Sequence, residues 1–152
     1  MHKLIKVLTE LGVDFQSKEH KSYRFKAQGM MDLSVEIWTQ PDGMHLSVAH
    51  YGEQNGDLMA NPEMEFLVGG GEIGPISFRN DYLGLMQYAR WRDENGKEMI
   101  NPGLILELRA FARKWAETIR RERYRARQSK DYLSATEFST YCISSFVKSY
   151  KL

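Results

Sequence analysis

Cysteine is almost absent from this sequence: Cys142 is the single cysteine among 152 residues. One cysteine excludes an internal disulfide, and it excludes a zinc site built from several thiolates. The chain also has no apolar run near the roughly 18 residues that a membrane-spanning helix needs. Its glycine-rich segment at 69–74 has no Lys-Ser/Thr pair after it, and Glu72 would repel a phosphate there. These absences predict a cytoplasmic protein without a membrane span and without a cofactor.

Charged residues of both signs are plentiful, but they are unevenly placed. The net charge is +1, yet residues 28–103 contain twelve Asp/Glu against four Lys/Arg, while residues 1–27 and 104–152 are both basic. An acidic middle between basic ends has two explanations. The segments attract one another within the fold, or they form two surfaces with different partners. Composition leaves both explanations open.

The spacing of apolar residues predicts an α+β fold in a single domain that spans residues 1–152. Helical spacing occurs near the N-terminus, and it returns over a long segment that ends at about Arg127. A second C-terminal helix is predicted from Ser134, which has capping-box spacing with Glu137. The apolar positions of the first two helices are Leu4, Leu8 and Leu11, and then Leu104, Leu108, Phe111, Trp115 and Ile119.

Between these helical segments apolar and polar residues alternate, which predicts an antiparallel sheet of four or five strands with one buried face. The two C-terminal helices are expected to pack on that face. A four-residue loop around the Pro-Asp-Gly turn at 41–43 would pair Gln40 with His45 and Val35 with His50. His50 would then lie on the buried face, at the rim of the sheet.

The segment HYGEQNGDLMANPEM, from His50 to Met64, is the first candidate site. If His50 pairs with Met64 on the next strand, about a dozen residues connect them, where a hairpin normally uses 2–5. Long connections in a compact domain often bind a ligand, and the Asn-Gly and Asn-Pro pairs indicate specific turns. The candidate binding residues of this segment are His50, Tyr51, Glu53, Asn55, Asp57 and Glu63.

Three interpretations of this segment are open. In the first, His50 is a hydrogen-bonded core residue and the Asn and Asp side chains cap turns. In the second, the segment is a binding loop. In the third, it is the site of a metal-dependent hydrolase or nuclease that uses His50, Glu53, Asp57 and Glu63 as ligands or as acid–base groups. The segment lacks the fixed ligand spacing of a strong zinc motif, so the spacing does not select the third.

Two blocks of this sequence, HYGEQNGDLMANPEMEF and PISFRNDYLGLMQYA, resemble an uncharacterised family of bacterial domains carried by plasmids, phages and other mobile elements. The core of that family reads H-Y-x-E-Q-N-G-D-L-M-x-x-P-E-M, and a later N-x-L-G-type segment follows it. The resemblance covers roughly residues 30–90 and implies a mobile-element setting, but it implies no reaction. The residues that fit are His50, Tyr51, Glu53, Gln54, Asn55, Gly56, Asp57, Leu58, Met59, Pro62, Glu63 and Met64, and then Asp81, Leu83 and Gly84.

The long C-terminal helix is the second candidate surface, because it carries nine Lys/Arg between Arg109 and Lys130. Basic residues on one helical face are the electrostatic footprint of phosphate contact, and an aromatic ring among them can stack on a base. An ordinary solvated helix with a basic C-terminal half has the same appearance. The candidate contact residues are Arg109, Arg113, Arg120, Tyr124 and Arg127.

Together these patterns predict a small non-catalytic binding protein of mobile-element type. Its expected partner is nucleic acid, a nucleic-acid-handling protein or another acidic protein surface, with no membrane contact. The alternative is the metal-dependent hydrolase or nuclease described above.

Overall fold

The computed structural model of the protein describes residues 2–69 and 72–126. Two features predicted from the sequence lie outside the described residues: the second C-terminal helix, which was to begin at Ser134, and the candidate contact residue Arg127. No helix in the described ranges is both long enough and apolar enough to span a membrane.

Nine strands, two α-helices and one short 3₁₀ helix are formed by the described residues. In chain order they are α1 (His2–Glu10), β1 (Lys21–Lys26), β2 (Leu33–Gln40), β3 (Gly43–Gln54), β4 (Asp57–Gly69), β5 (Glu72–Asn80), the 3₁₀ helix (Asp81–Leu83), β6 (Leu85–Tyr88), β7 (Arg90–Arg92), β8 (Glu98–Ile100), α2 (Pro102–Arg121) and β9 (Arg125–Ala126).

Within the described ranges, seven strands form one antiparallel sheet in the order β6-β5-β4-β3-β2-β1-β9, and β7 and β8 form a separate two-stranded ribbon. The predicted α+β fold, with four or five strands and two C-terminal helices, is therefore wrong: the described chain is mostly sheet. Strands β6 and β9 were missed because four and two residues are too few to show alternation.

The β2–β3 hairpin turns more tightly than expected. Gln40 pairs with Gly43, so the turn has two central residues, and His50 pairs with Leu33 instead of Val35. The error in register is two residues, and side chains alternate between faces with a period of two. His50 therefore still lies on the predicted buried face.

The β3–β4 hairpin replaces the long connection predicted between His50 and Met64. Gln54 pairs with Asp57, and Asn55 and Gly56 form the turn with φ of 53° and 81°. Two positive φ values in a two-residue turn define type I′, which the Asn-Gly dipeptide favours. The dozen-residue loop expected from the sequence is thus a continuation of both strands, interrupted by a bulge next to His50.

Both helices lie against one face of the sheet, called the core face here. Helix α2 begins at Pro102, and the side chain of Asn101 just before it caps the helix by accepting a hydrogen bond from the Leu104 amide. The apolar side chains between the helices and the core face form the hydrophobic core, and full burial of one large apolar side chain stabilises the fold by about 1.5–3 kcal/mol. The largest fully buried apolar side chains of this core are Leu4, Leu8, Phe25, Leu33, Ile37, Leu46, Met64, Phe66 and Ile119.

Helix α2 ends at Arg121, although the sequence predicted that it runs to about Arg127. Arg123 follows with a positive φ of 54°, a conformation that ends a helix, and the chain then enters β9 beside β1. The segment after α2 therefore closes one edge of the sheet.

Candidate functional site

The six candidate residues of the His50–Met64 segment are distributed over three places. His50 lies on the core face, Glu63 lies on the opposite face with Tyr51 hydrogen-bonded to it, and the other three, Glu53, Asn55 and Asp57, are exposed at the tip of the β3–β4 hairpin. Their carboxylates and the imidazole therefore do not converge on one point. Across the residues that the structure describes, no group of three or more His, Cys, Asp or Glu is arranged to hold a metal ion.

His50 occupies a buried aromatic site between the sheet and α2. Its ring centroid lies 5.4 Å from that of Trp115 and 5.7 Å from that of Tyr124. Its Nδ1 lies 3.3 Å from the Asp32 carbonyl oxygen, to which a neutral ring can donate. Burial lowers the pKa of His50, and the hydrogen bond to Asp32 offsets this only in part. His50 is therefore uncharged at neutral pH.

Tyr124 closes the same site from the segment that follows α2. It is 5% exposed, its hydroxyl donates to the Met31 carbonyl oxygen at 2.9 Å, and burial raises its pKa. A ring held in this way has no free face on which a nucleobase could stack, although base stacking is the role predicted for Tyr124 from the sequence. Through these contacts Tyr124 connects the start of β9 to the β1–β2 loop and to His50.

The predicted basic face of α2 is only partly available. Arg120 donates to Glu10 of α1 at 2.9 and 3.0 Å, and the buried Nε of Arg109 has no hydrogen-bond partner among the described residues. Lys3 and Glu117 form a second ion pair between the two helices. Arg113 is exposed. Helix α2 thus uses part of its charge to hold α1.

A different basic group lies at the sheet edge formed by β1 and β9, and the three residues Lys26, Arg123 and Arg125 are called the basic edge here. Lys26 and Arg125 are directly paired across the two strands, and all three side chains are exposed. None of them belongs to an ion pair formed within the described ranges. Like charges opposite each other destabilise a strand pair, so this arrangement works against the fold.

The face of the sheet opposite the helices is called the polar face here. One row of directly paired residues crosses it from β1 to β6, and a second row runs beside the first. Sequence reasoning took these alternating polar residues for the solvent side of each strand, although several of them are buried. The rows are Ser22, Glu36, Ser47, Glu65, Ser77 and Tyr88, and Arg24, Ser34, Ala49, Glu63, Arg79 and Met86.

His45 is bound by two carboxylates on this polar face. Its Nδ1 lies 2.9 Å from Glu65 Oε1, and its Nε2 lies 2.9 Å from Asp42 Oδ1. Burial lowers the pKa of His45, but the hydrogen bonds to Glu65 and Asp42 outweigh it, and the pKa is raised above 6.5. The raised pKa favours the imidazolium form, in which both nitrogens donate, so that His45 holds β3 to β4 and has no lone pair for base catalysis.

Glu63 belongs to a second polar group at the other end of the same face. Burial raises its pKa, while Arg79 and a hydrogen bond with Tyr51 act in the opposite direction. Arg79 lies 3.8 Å from Glu63 but binds Asp81 more closely, with Nε and Nη2 donating at 2.6 and 2.9 Å. The arginine is thus committed mainly to Asp81, which leaves the Glu63 carboxyl only partly compensated.

The two sequence blocks that carry the family resemblance meet at this point. Asp81 Oδ2 accepts the backbone N–H of Ala60 at 2.8 Å, and Asn80 donates to Asn61 at 3.0 Å. The Tyr82 hydroxyl lies so close over Gly52 that a Cβ there would collide with it. The segment after β5 therefore fastens the irregular part of the β3–β4 hairpin, which accounts physically for the presence of both blocks.

Replacing Asp81 by alanine should lower the free energy of unfolding by about 2 kcal/mol, because it leaves the buried Ala60 N–H and the Arg79 guanidinium without their acceptor. Urea unfolding followed by circular dichroism measures this loss. Asp81→Asn retains an acceptor for Ala60 and should lose about half as much. Asp57→Ala, at the exposed hairpin tip, should change stability by less than about 0.5 kcal/mol, and an equal loss there would contradict this account.

A comparison with known protein families places the chain in one of them. The profile of a family described as a domain of unknown function (DUF6908) matches residues 3–125. No curated protein and no solved structure matches the chain.

Proposed function

The chain belongs to the DUF6908 family of domains of unknown function, and on that premise we propose that it is a small non-catalytic binding protein of mobile-element type that contacts nucleic acid through the basic edge. The mobile-element setting rests on the resemblance of the two blocks, from His50 to Phe66 and from Pro75 to Ala89. The nucleic-acid contact rests on the surface chemistry argued below.

The observation that carries the proposal is the direct pairing of Lys26 with Arg125 at the outer strand of the sheet. Two adjacent cations without an acidic partner repel each other, which costs stability in the free protein. A phosphate placed between them turns that repulsion into attraction and releases counterions from the nucleic acid. Binding of a phosphate at this edge therefore gains free energy from relief of the repulsion and from counterion release, whereas a strand without paired cations gains neither.

Arg123 supports the same proposal through its backbone. Left-handed φ is uncommon for residues other than glycine, and such conformations cost of order 1 kcal/mol or more. The conformation places Arg123 at the turn between α2 and β9, next to buried Tyr124. Arg123 and Arg125 are therefore both directed outward on either side of a fixed, buried ring.

The acidic residues of the polar face are distant from this edge or already bound. Glu36 on β2 is paired with Ser22, four residues along β1 from Lys26, and its carboxylate contacts His20 at 2.7 Å. Glu63 and Glu65 lie on β4, three to four strand positions from β1 and β9, which is roughly 14–19 Å. The Debye length at physiological ionic strength is about 8 Å, so their field is largely screened at the edge. Asp32, which is nearer in sequence, is paired with Arg24 at 3.2 Å.

Fluorescence anisotropy with labelled duplex and single-stranded DNA tests this proposal across a series of salt concentrations. Three phosphate contacts predict a log–log salt slope of about −2 to −3 and weak affinity, with Kd of about 10⁻⁴–10⁻⁶ M. The double variant Lys26→Gln, Arg125→Gln should flatten the slope by about 2 and leave the fold intact, because both side chains are exposed.

Lys97→Gln is the matched control, because Lys97 is an exposed lysine near the β7–β8 ribbon and away from the basic edge. It should leave the salt slope unchanged. Failure of the wild-type protein to bind either DNA at low salt, or equal weakening by Lys97→Gln, would overturn the basic edge as the contact surface.

A further inference from the structure

The two outer strands of the sheet differ strongly in how well they are protected from pairing with a strand of another molecule. At one edge, β9 is two residues long, contains the exposed cation Arg125 and follows the exposed cation Arg123. At the other edge β6, with the sequence LMQY, has β5 as its one neighbour among the residues described. Natural sheets usually protect an outer strand with charge, proline or a bulge, since its free N–H and C=O groups can pair with another strand. Strand β6 has no charged residue and no proline.

The side chains around β6 add an apolar surface to this open edge. Four large apolar residues there are exposed, with Leu83 at 72% the most exposed of them. The segment from Tyr82 to Ala89 contains no charged residue. Leu85 and Met86 point to opposite faces of the sheet, so exposed apolar side chains lie on both sides of the free strand edge, which is typical of a contact surface. The four residues are Tyr82, Leu83, Leu85 and Met86, with exposures of 45%, 72%, 37% and 42%.

We propose that two copies of this chain associate through β6, with the two strands paired antiparallel about a two-fold axis. A two-fold contact places each surface against itself, so a charged edge would repel its own copy. The uncharged segment from Tyr82 to Ala89 carries no such penalty. Antiparallel pairing of β6 with its symmetry mate satisfies backbone groups on both strands at once and covers the apolar side chains of both copies.

The interface is small, which sets the expected strength of association. A four-residue strand and four partly exposed side chains lie at the lower end of the size of specific protein interfaces. The dimer is therefore dissociable, with Kd on the order of 50 µM. By mass action, the fraction of chains in the dimer should rise from roughly one seventh at about 5 µM protein to roughly 70% at about 200 µM.

Sedimentation velocity on the full chain over this concentration range measures the association. Leu85→Lys with Met86→Lys places like charges across the two-fold axis and should weaken the affinity at least about a hundredfold, which leaves fewer than roughly one chain in ten dimeric at 200 µM. Leu83→Lys acts from outside the strand and should weaken the dimer without disturbing the pairing of β6 with β5. It keeps the test decisive if the double variant does not fold.

Leu106→Lys is the matched control, because Leu106 is 66% exposed on α2, away from this edge. It should dimerise like the wild type. Hydrogen exchange at residues 85–88 should slow as protein concentration rises, because pairing protects amide groups. A wild-type chain that stays monomeric at 200 µM, or a dimer that survives both Leu83→Lys and Leu85→Lys with Met86→Lys, would overturn the proposal.

Discussion

Replacing Glu65 by alanine is expected to lower the free energy of unfolding by about 3 kcal/mol at pH 6, because it removes one partner of a buried ion pair. The side chains of His45 and Glu65 are 7% and 9% exposed, so solvent screens their interaction little. His45 keeps Asp42, whose side chain is 43% exposed and which therefore compensates less. Chemical denaturation at fixed pH gives the value directly.

The pH dependence of the same variant gives an independent test. Because the folded-state pKa of His45 is raised, its contribution to stability is fully present below the unfolded value of about 6.5 and is lost as pH rises through the folded pKa. Wild-type stability should therefore carry a falling component above pH 6.5. In Glu65→Ala this component should shrink, so the difference between the two proteins narrows toward pH 9.

Two further variants separate the charge from the shape of the pair. Glu65→Gln keeps the size of the side chain but not its charge, and should lose an intermediate amount. The double variant His45→Leu with Glu65→Leu removes both charges together and should recover most of the loss, because apolar replacement of a whole buried pair is often neutral. If the double variant is as unstable as Glu65→Ala, the unpaired imidazolium is not the cause.

Tyr124→Ala is expected to cost about 3–5 kcal/mol, the second large effect, since it empties a buried aromatic site beside His50 and Trp115. It also releases the hydrogen bond to Met31 that holds the end of α2 to the β1–β2 loop. Thermal unfolding measures the loss. Tyr124→Phe keeps the ring and should lose only about 1 kcal/mol.

The same pair of variants tests the alternative role of Tyr124 as a base-stacking residue. If the ring stacked on a base, Tyr124→Ala would weaken DNA binding while leaving the unfolding temperature unchanged.

The contribution of His50, in the same buried site, depends on pH in the opposite direction to that of His45. Its pKa is lowered by burial, so its contribution is present above about pH 6.5 and is lost as pH falls through the folded value. Solvent entry in Tyr124→Ala should reduce that acid sensitivity.

The regular parts of the fold could be predicted from apolar spacing. The helical positions Leu4, Leu8, Leu108, Trp115 and Ile119 are buried as expected. The alternation in β2 and β3 assigned the correct residues to the core face, and even the wrong register kept His50 there. Such patterns are informative because burial of one face is a local property, repeated every two or every 3.6 residues.

The β3–β4 hairpin could not be predicted in the same way, because its sequence breaks the alternation. Turn residues at Asn55 and Gly56 were recognised, but Pro62 and the bulge beside His50 interrupt the apolar pattern on both strands. Those residues remain in the sheet because Asp81 and Asn80, about 20 residues later, supply hydrogen bonds to Ala60 and Asn61. Side-chain support from a distant segment leaves no periodic signal.

The candidate surfaces were also predicted only as far as they depend on residue spacing within one segment. Sequence spacing identified a basic C-terminal segment, but it placed Tyr124 among exposed arginines, because it extended the helix past Arg123. The pairing of Lys26 with Arg125 and of His45 with Glu65 and Asp42 depends on which strands are neighbours, and strand order is not a property of any one segment. These groups of residues could therefore be found only from the tertiary structure.

The contacts between α1 and α2, and between β1 and β9, join the two ends of the described chain. Lys3 meets Glu117 and Glu10 meets Arg120, partners separated by 114 and 110 residues. The other strand pairs of the seven-stranded sheet join strands that are consecutive in the described chain, so these end-to-end contacts are the non-local ones, and they form late because the long segments between them must be ordered first. During synthesis the apolar face of α1 leaves the ribosome long before α2 can cover it. The nascent chain is therefore expected to need protection from aggregation until α2, which ends at Arg121, has also left the ribosome.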